Sequence, residues 1–195
     1  MTVSLFLLFG VAYTVAYSFR SQIMLRFLRG YWGTMGLVNL NILIWVLLSL
    51  WRIRSGDVPF WPFNFTGVQN EAVAFLVAFL GLYMLVALEY LTGFDTGFNP
   101  PINLFSVSEM AIFGSLEEVI WRAYVLNAIG GWVGWLLSSL GFALHHVGSS
   151  WRHALYALIA GLILGGVYLR TGAFWGVFLA HGLFNFSIIF RRWIG

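Results

Sequence analysis

Seven apolar runs, separated by short polar connections, occupy most of the chain. They cover about Val3–Phe19, Met35–Trp51, Ala72–Leu91, Leu104–Ala128, Trp132–Val147, Ala154–Leu169 and Ala173–Phe190. An α-helix needs ~20 apolar residues to cross a bilayer core, with a tolerance of about 17 to 25. A backbone exposed to lipid must satisfy its own hydrogen bonds, so each run is expected to be a helix. The connections carry the stops: Arg20, Arg26 and Arg29 after the first run, Arg52 and Arg54 after the second, Arg191 and Arg192 after the last. "TGFDTGFNPP" breaks the chain after the third. The segment "RSGDVPFWPFNFTGVQN" is rich in Pro and aromatics and reads as interfacial, because Trp and Phe favour the headgroup boundary. The expected fold is an all-α polytopic membrane bundle of about seven transmembrane helices. It forms one integral membrane domain over 1–195, with N-terminal spans in 1–100 and the chemistry-bearing helices in 104–190.

Composition agrees with the pattern. The chain is 61% hydrophobic and 9% charged, against about 25% charged residues in a soluble domain. All ten basic residues other than His are Arg. All but Arg122 are spread over connections, so no basic face for nucleic acid forms. With the N-terminus outside, Arg20, Arg26, Arg29, Arg152, Arg191 and Arg192 fall in the cytoplasm and Arg52, Arg54 and Arg170 on the other side, the bias the positive-inside rule expects. Cysteine is absent, which removes disulfides, thiolate metal sites and a Cys nucleophile. The N-terminal stretch lacks the basic start and cleavage site of a secretory signal and reads as a retained span. Trp32, Trp51, Trp61, Trp132, Trp135, Trp151 and Trp193 sit near run ends, as aromatic belts do. Ala157, Gly161 and Gly165 make a small-residue ridge that lets helices approach closely.

Against this background the polar residues inside the runs stand out: Glu89, Glu109, Glu117, Glu118, Arg122, His145, His146, His181 and Asn185. An ionisable group at mid-membrane costs about 2.5–3.5 kcal/mol on insertion scales. In "EEVIWR", Glu118 and Arg122 are four apart with the acid first, the favourable order for an ion pair. Glu117 points about 100° away and meets different neighbours. Two adjacent acids in a low-dielectric site resist ionising together, a condition suited to proton transfer. The plain alternative is an ion-pair cluster that only ties helices together. In "FALHH", Phe142 and His146 share a face and His145 lies off it; a His near a span end is often just interfacial. In "HGLFN", His181 and Asn185 share a stripe and are able to polarise a carbonyl together, or to make an ordinary interhelical hydrogen bond. Three helices in a row thus offer acid, base and donor groups that would suit hydrolysis if they converge on a wet pocket. Glu89 and Glu109 fit no motif.

In order and spacing these three motifs resemble the CPBP intramembrane proteases, also called the CAAX-protease or Abi family, whose pattern is EExxxR, then FxxxH, then HxxxN, each on its own helix. The likeness covers about Glu109 to Phe190. It implies an endopeptidase that cuts near the C-terminus of a membrane-anchored protein or peptide. It implies Glu117 as the base that activates water, aided by His146, with His181 and Asn185 holding the oxyanion. Glu118 and Arg122 would position the site, Glu118 sharing in the proton work, and Phe142 would support it. His145, beside the motif histidine, departs from the pattern. The implied mechanism uses no metal or other cofactor; the alternative is a zinc ion held by Glu117, His146 and His181. No HExxH helix occurs. The short, Lys-free chain resembles prokaryotic members, which implies a multi-pass protein of the cytoplasmic membrane whose partners are the bilayer and the substrate. Two other functions compete: a non-catalytic bacteriocin-immunity or binding protein of the same fold, and a small transporter. Against the latter, the halves show no inverted repeat.

Overall fold

The computed structural model describes residues 31–94, 104–147 and 150–194. Its backbone is a set of helices: α1 (Tyr31–Arg54), α2 (Val68–Thr92), α3 (Leu104–Glu118), α4 (Gly131–His146), α5 (Trp151–Thr171) and α6 (Phe174–Ile194). After Glu118, α3 runs on as a π-helical stretch, Val119–Leu126, and ends in the turn Asn127–Ile129. There is no strand among the described residues. Six of the seven expected runs are therefore helices. The first, Val3–Phe19, lies outside the described residues, as do Arg20, Arg26 and Arg29. Among the described residues two helices, α2 and α5, are long and apolar enough by themselves to cross a membrane.

The surface of the bundle is inverted relative to a water-facing protein. Leu76, Leu80, Met84 and Leu88 are exposed on α2, Leu136, Leu137 and Leu140 on α4, and Leu179 and Leu183 on α6. Asn39, Asn41, Ser49, Glu71, Ser115, Glu117, Glu118, Arg122, Ser138, Ser139 and His181 are buried. Water would reverse that sorting. Hydrocarbon allows it, and obliges polar groups to find partners inside.

Without a hydrophobic drive between helices, close packing must hold them together. The ridge on α5 supplies it. Gly161 lies against Phe142 and Ser139, and Gly165 against Trp135. Trp135 is consequently no belt residue: its indole Nε1 donates to the Leu162 carbonyl at 2.9 Å, inside the α4–α5 seam. Trp51, Trp61, Trp132 and Trp151 are exposed, as a belt requires. Between α3 and α4 the chain reverses at Gly130 and Gly131, with φ of 79° and 55°. Only glycine adopts such angles readily, and the short turn sets α4 antiparallel to α3.

Glu71 fixes the last helix. The run boundary drawn at Ala72 left this acid outside the apolar core, yet it is buried. Its Oε1 accepts from Thr66 Oγ1 at 2.9 Å and from the Thr66 N–H at 3.2 Å. Its Oε2 accepts the Gly176 N–H at 2.6 Å, in the first turn of α6. That turn has unpaired N–H groups that favour an acceptor. Asn70 donates to the Thr171 carbonyl at the end of α5, at 2.8 Å, so the start of α2 clamps the α5–α6 junction. Asp57 ties the loop after α1 to the π stretch by pairing with Arg52 at 2.5 Å and accepting from Tyr124 Oη at 3.0 Å. Replacing Glu71 by Ala should destabilise the fold by about 2 kcal/mol, the worth of hydrogen bonds to a charged acceptor. Thermal unfolding in detergent checks this; an unchanged midpoint would show that α6 needs no cap from α2.

Candidate active site

The polar centre is built around Glu118. Its Oε2 lies 3.0 Å from Arg122 Nε, and both side chains are fully buried. Its Oε1 accepts from His181 Nδ1 at 2.7 Å. The i,i+4 ion pair expected within one helix thus extends to α6. Arg122 has further contacts: Nη2 donates to the Gly161 carbonyl of α5 at 3.2 Å, and the guanidinium lies 5.0 Å from the centre of the Phe142 ring of α4. Phe142 in turn meets the His181 ring edge-on at 5.7 Å. One buried carboxylate and one guanidinium therefore register α3, α4, α5 and α6 against each other.

Arg122 sits within the π stretch, where bonds run i to i+5. Asn127 Nδ2 lies 3.0 Å from the carbonyls of both Arg122 and Ala123 and 2.7 Å from Tyr168 Oη, which secures this wider turn. Helical periodicity does not reveal the stretch, because four-residue spacing suits either register. π turns within α-helices occur frequently at functional sites.

Glu117, turned away from Glu118, faces α4. Its Oε1 lies 3.4 Å from Nε2 of His145. His146 points elsewhere: its Nδ1 donates to the Phe142 carbonyl at 2.8 Å, and its ring is 4.9 Å from that of His153 on α5. The ring that lies against Glu117 is thus His145, the neighbour of the FxxxH histidine.

Asn185, one turn beyond His181, lies over α3. Its Nδ2 donates to the Met110 carbonyl at 3.3 Å. A Cβ on Gly114 would collide with that amide nitrogen and would stand 3.5 Å from His181 Nε2. The bare Gly114 backbone thus marks the place where both nitrogens converge. Gly182 makes room in the same way for Ser115. Glu109 accepts from the Asn39 amide and joins α1 to α3; the sequence alone assigned it nothing.

The zinc alternative would need Glu117, His146 and His181 on one ion. Nδ1 of His146 and of His181 is engaged by the Phe142 carbonyl and by Glu118, which leaves each Nε2 as the donor a metal would take, while Glu117 lies against His145. No three His, Asp or Glu side chains among the described residues are grouped to hold one ion.

Residues 99–187 match the family model described as type II CAAX prenyl endopeptidase Rce1-like, consistent with the CPBP likeness of the three motifs. This is a family of membrane proteases. Comparison with curated proteins and with solved structures gives no match.

Removing one member of a buried pair leaves the other uncompensated, at a cost of about 3–5 kcal/mol. Arg122→Leu should therefore lower stability by about that amount and abolish expression of folded protein if the margin is smaller. Size-exclusion profiles and thermal melts in detergent check this. A variant as stable as the parent would show that Glu118 is held by His181 alone.

Proposed function

We propose, from the Rce1-like match and the surroundings of the two acids, that this chain is an intramembrane endopeptidase of the glutamic type. The observation that carries the reading is that adjacent buried acids on α3 meet imidazoles from two different helices. Glu118 holds His181 of α6, and Glu117 lies against His145 at the end of α4. Such a grouping is costly in an apolar bundle and suits proton transfer. The substrate is a membrane-anchored protein or peptide, cut near its C-terminus, in the cytoplasmic membrane of a prokaryote.

In this reading the Glu117 carboxylate takes a proton from water as the water oxygen attacks the scissile carbonyl. The Asn185 amide and, in its imidazolium form, His181 Nε2–H donate to the resulting oxyanion. Glu118, accepting from Nδ1 of His181, fixes the ring's orientation. Collapse of the intermediate breaks the C–N bond, and Glu117 returns its proton to the leaving amine. His146 stands beside His145 at the end of α4, with its Nδ1 held by the Phe142 carbonyl. No step uses a metal or other cofactor.

Glu117→Gln should lower cleavage of a membrane-anchored peptide in proteoliposomes by about 10²–10⁴-fold, with the fold retained. A chelator should leave the parent enzyme active. Normal cleavage by the variant, or activity lost to chelator and restored by zinc, would sink the glutamic mechanism. If Glu117→Ala and His146→Ala keep a cellular protection phenotype, the chain is a binding or immunity protein instead. Gly114→Ala should push the Asn185 amide aside and cost about 10²-fold in kcat, as loss of one oxyanion donor does. An unchanged kcat would remove Asn185 from that role.

A further inference from the structure

The contact between Glu117 and His145 is set by how α3 and α4 pack, not by chance proximity. The two helices run antiparallel. A Cβ on Gly141 would strike the Trp121 ring, with Cη2 at 2.8 Å, so here α4 touches the continuation of α3 directly. Four residues on in α4 is His145; four residues back in α3 is Glu117. Residues four apart share a helix face, so the Gly141–Trp121 contact brings the next pair, His145 and Glu117, together at 3.4 Å. Both side chains are largely enclosed, 14% and 8% exposed. His146 is rotated about 100° from this face, toward Phe142 and His153.

We infer that His145 is a positioning residue for Glu117. Its Nε2–H donates to Oε1, which fixes the carboxylate and leaves Oε2 to take the proton from water. His145 itself gains and loses nothing in the cycle. Gly141 serves the same end by letting the two helices close. Contacts of this kind are often long before substrate binds and tighten afterwards. The inference rests on the proteolytic reading for its consequence, but the contact itself is testable without turnover.

The test uses the full chain in lipid bilayers with ¹⁵N-labelled histidine. The His145 Nε2 resonance, assigned by its loss in His145→Gln, should shift in Glu117→Gln while that of His146 stays in place. An unmoved His145 signal overturns the inference. In the cleavage assay, His145→Ala should reduce kcat by about 10²-fold, the scale of a misplaced reacting group. KM should stay within about twofold, since only the transition state loses stabilisation. His145→Gln, whose amide can donate to the same oxygen, should recover most of the loss; a purely structural role would show no such rescue. Parental kcat in His145→Ala also overturns it. If His145→Ala does not fold, His145→Gln and the resonance decide. If the resonance responds but the parent cuts no membrane-anchored peptide, the contact stands and the proteolytic reading falls.

Discussion

The bundle is organised by a single buried carboxylate. Glu118 lies between the guanidinium of Arg122 and the imidazole of His181, at 3.0 and 2.7 Å, with no exposure of its own. In surroundings without water, a charge has to be answered by protein, and the answer dictates where the helices go. Arg122 neutralises Glu118 from the π turn that follows it. It can place its other end only on the Gly161 carbonyl and the Phe142 ring. Once these contacts exist, α4, α5 and α6 have little freedom about α3. The orientation of Glu117 and the reach of Asn185 follow from them.

Glycine makes those approaches sterically possible. Gly114 leaves space for the Asn185 amide, Gly141 for Trp121, Gly161 for Phe142 and Gly182 for Ser115. Each lies where a polar or aromatic side chain of one helix must cross the backbone of another. Lipid gives no hydrophobic reward for helix association, so contact quality and polar bonds carry the packing. Small residues at the crossings therefore do double service: they bring the backbones together and admit polar and aromatic side chains.

Much of this was legible in the sequence, because the physics of a span is written in one dimension. Apolar runs gave six helices that the structure contains. The four-residue spacings gave the Glu118–Arg122 pair, and Ala157, Gly161 and Gly165 gave the α4–α5 seam. Other features depend on what lies across a gap, and these were not legible. Trp135 looks like a belt residue until its partner at Leu162 is known. Glu71 looks like a boundary acid until α6 arrives with its open first turn. The π stretch leaves no mark in hydropathy. Motif spacing singles out His146, whereas helix phase decides which of two adjacent rings lies against Glu117, and in the structure that ring is His145.

The Glu118–Arg122 pair is a weak device for stability. Burying two charges forfeits hydration that their attraction only partly returns, and well-packed apolar residues of similar volume often do as well or better. In a protein whose exterior is apolar and whose interior could be apolar too, an ion pair with no exposure calls for a reason other than strength. Geometry supplies one. Apolar packing tolerates small slips and rotations of helices, while a carboxylate shared by a guanidinium and an imidazole does not. A bundle that must hold Glu117, His181 and Asn185 in fixed relation gains more from that intolerance than it loses in desolvation. In the proposed mechanism the adjacent acids thereby divide their work: Glu118 sets register, which leaves Glu117 free for the chemistry.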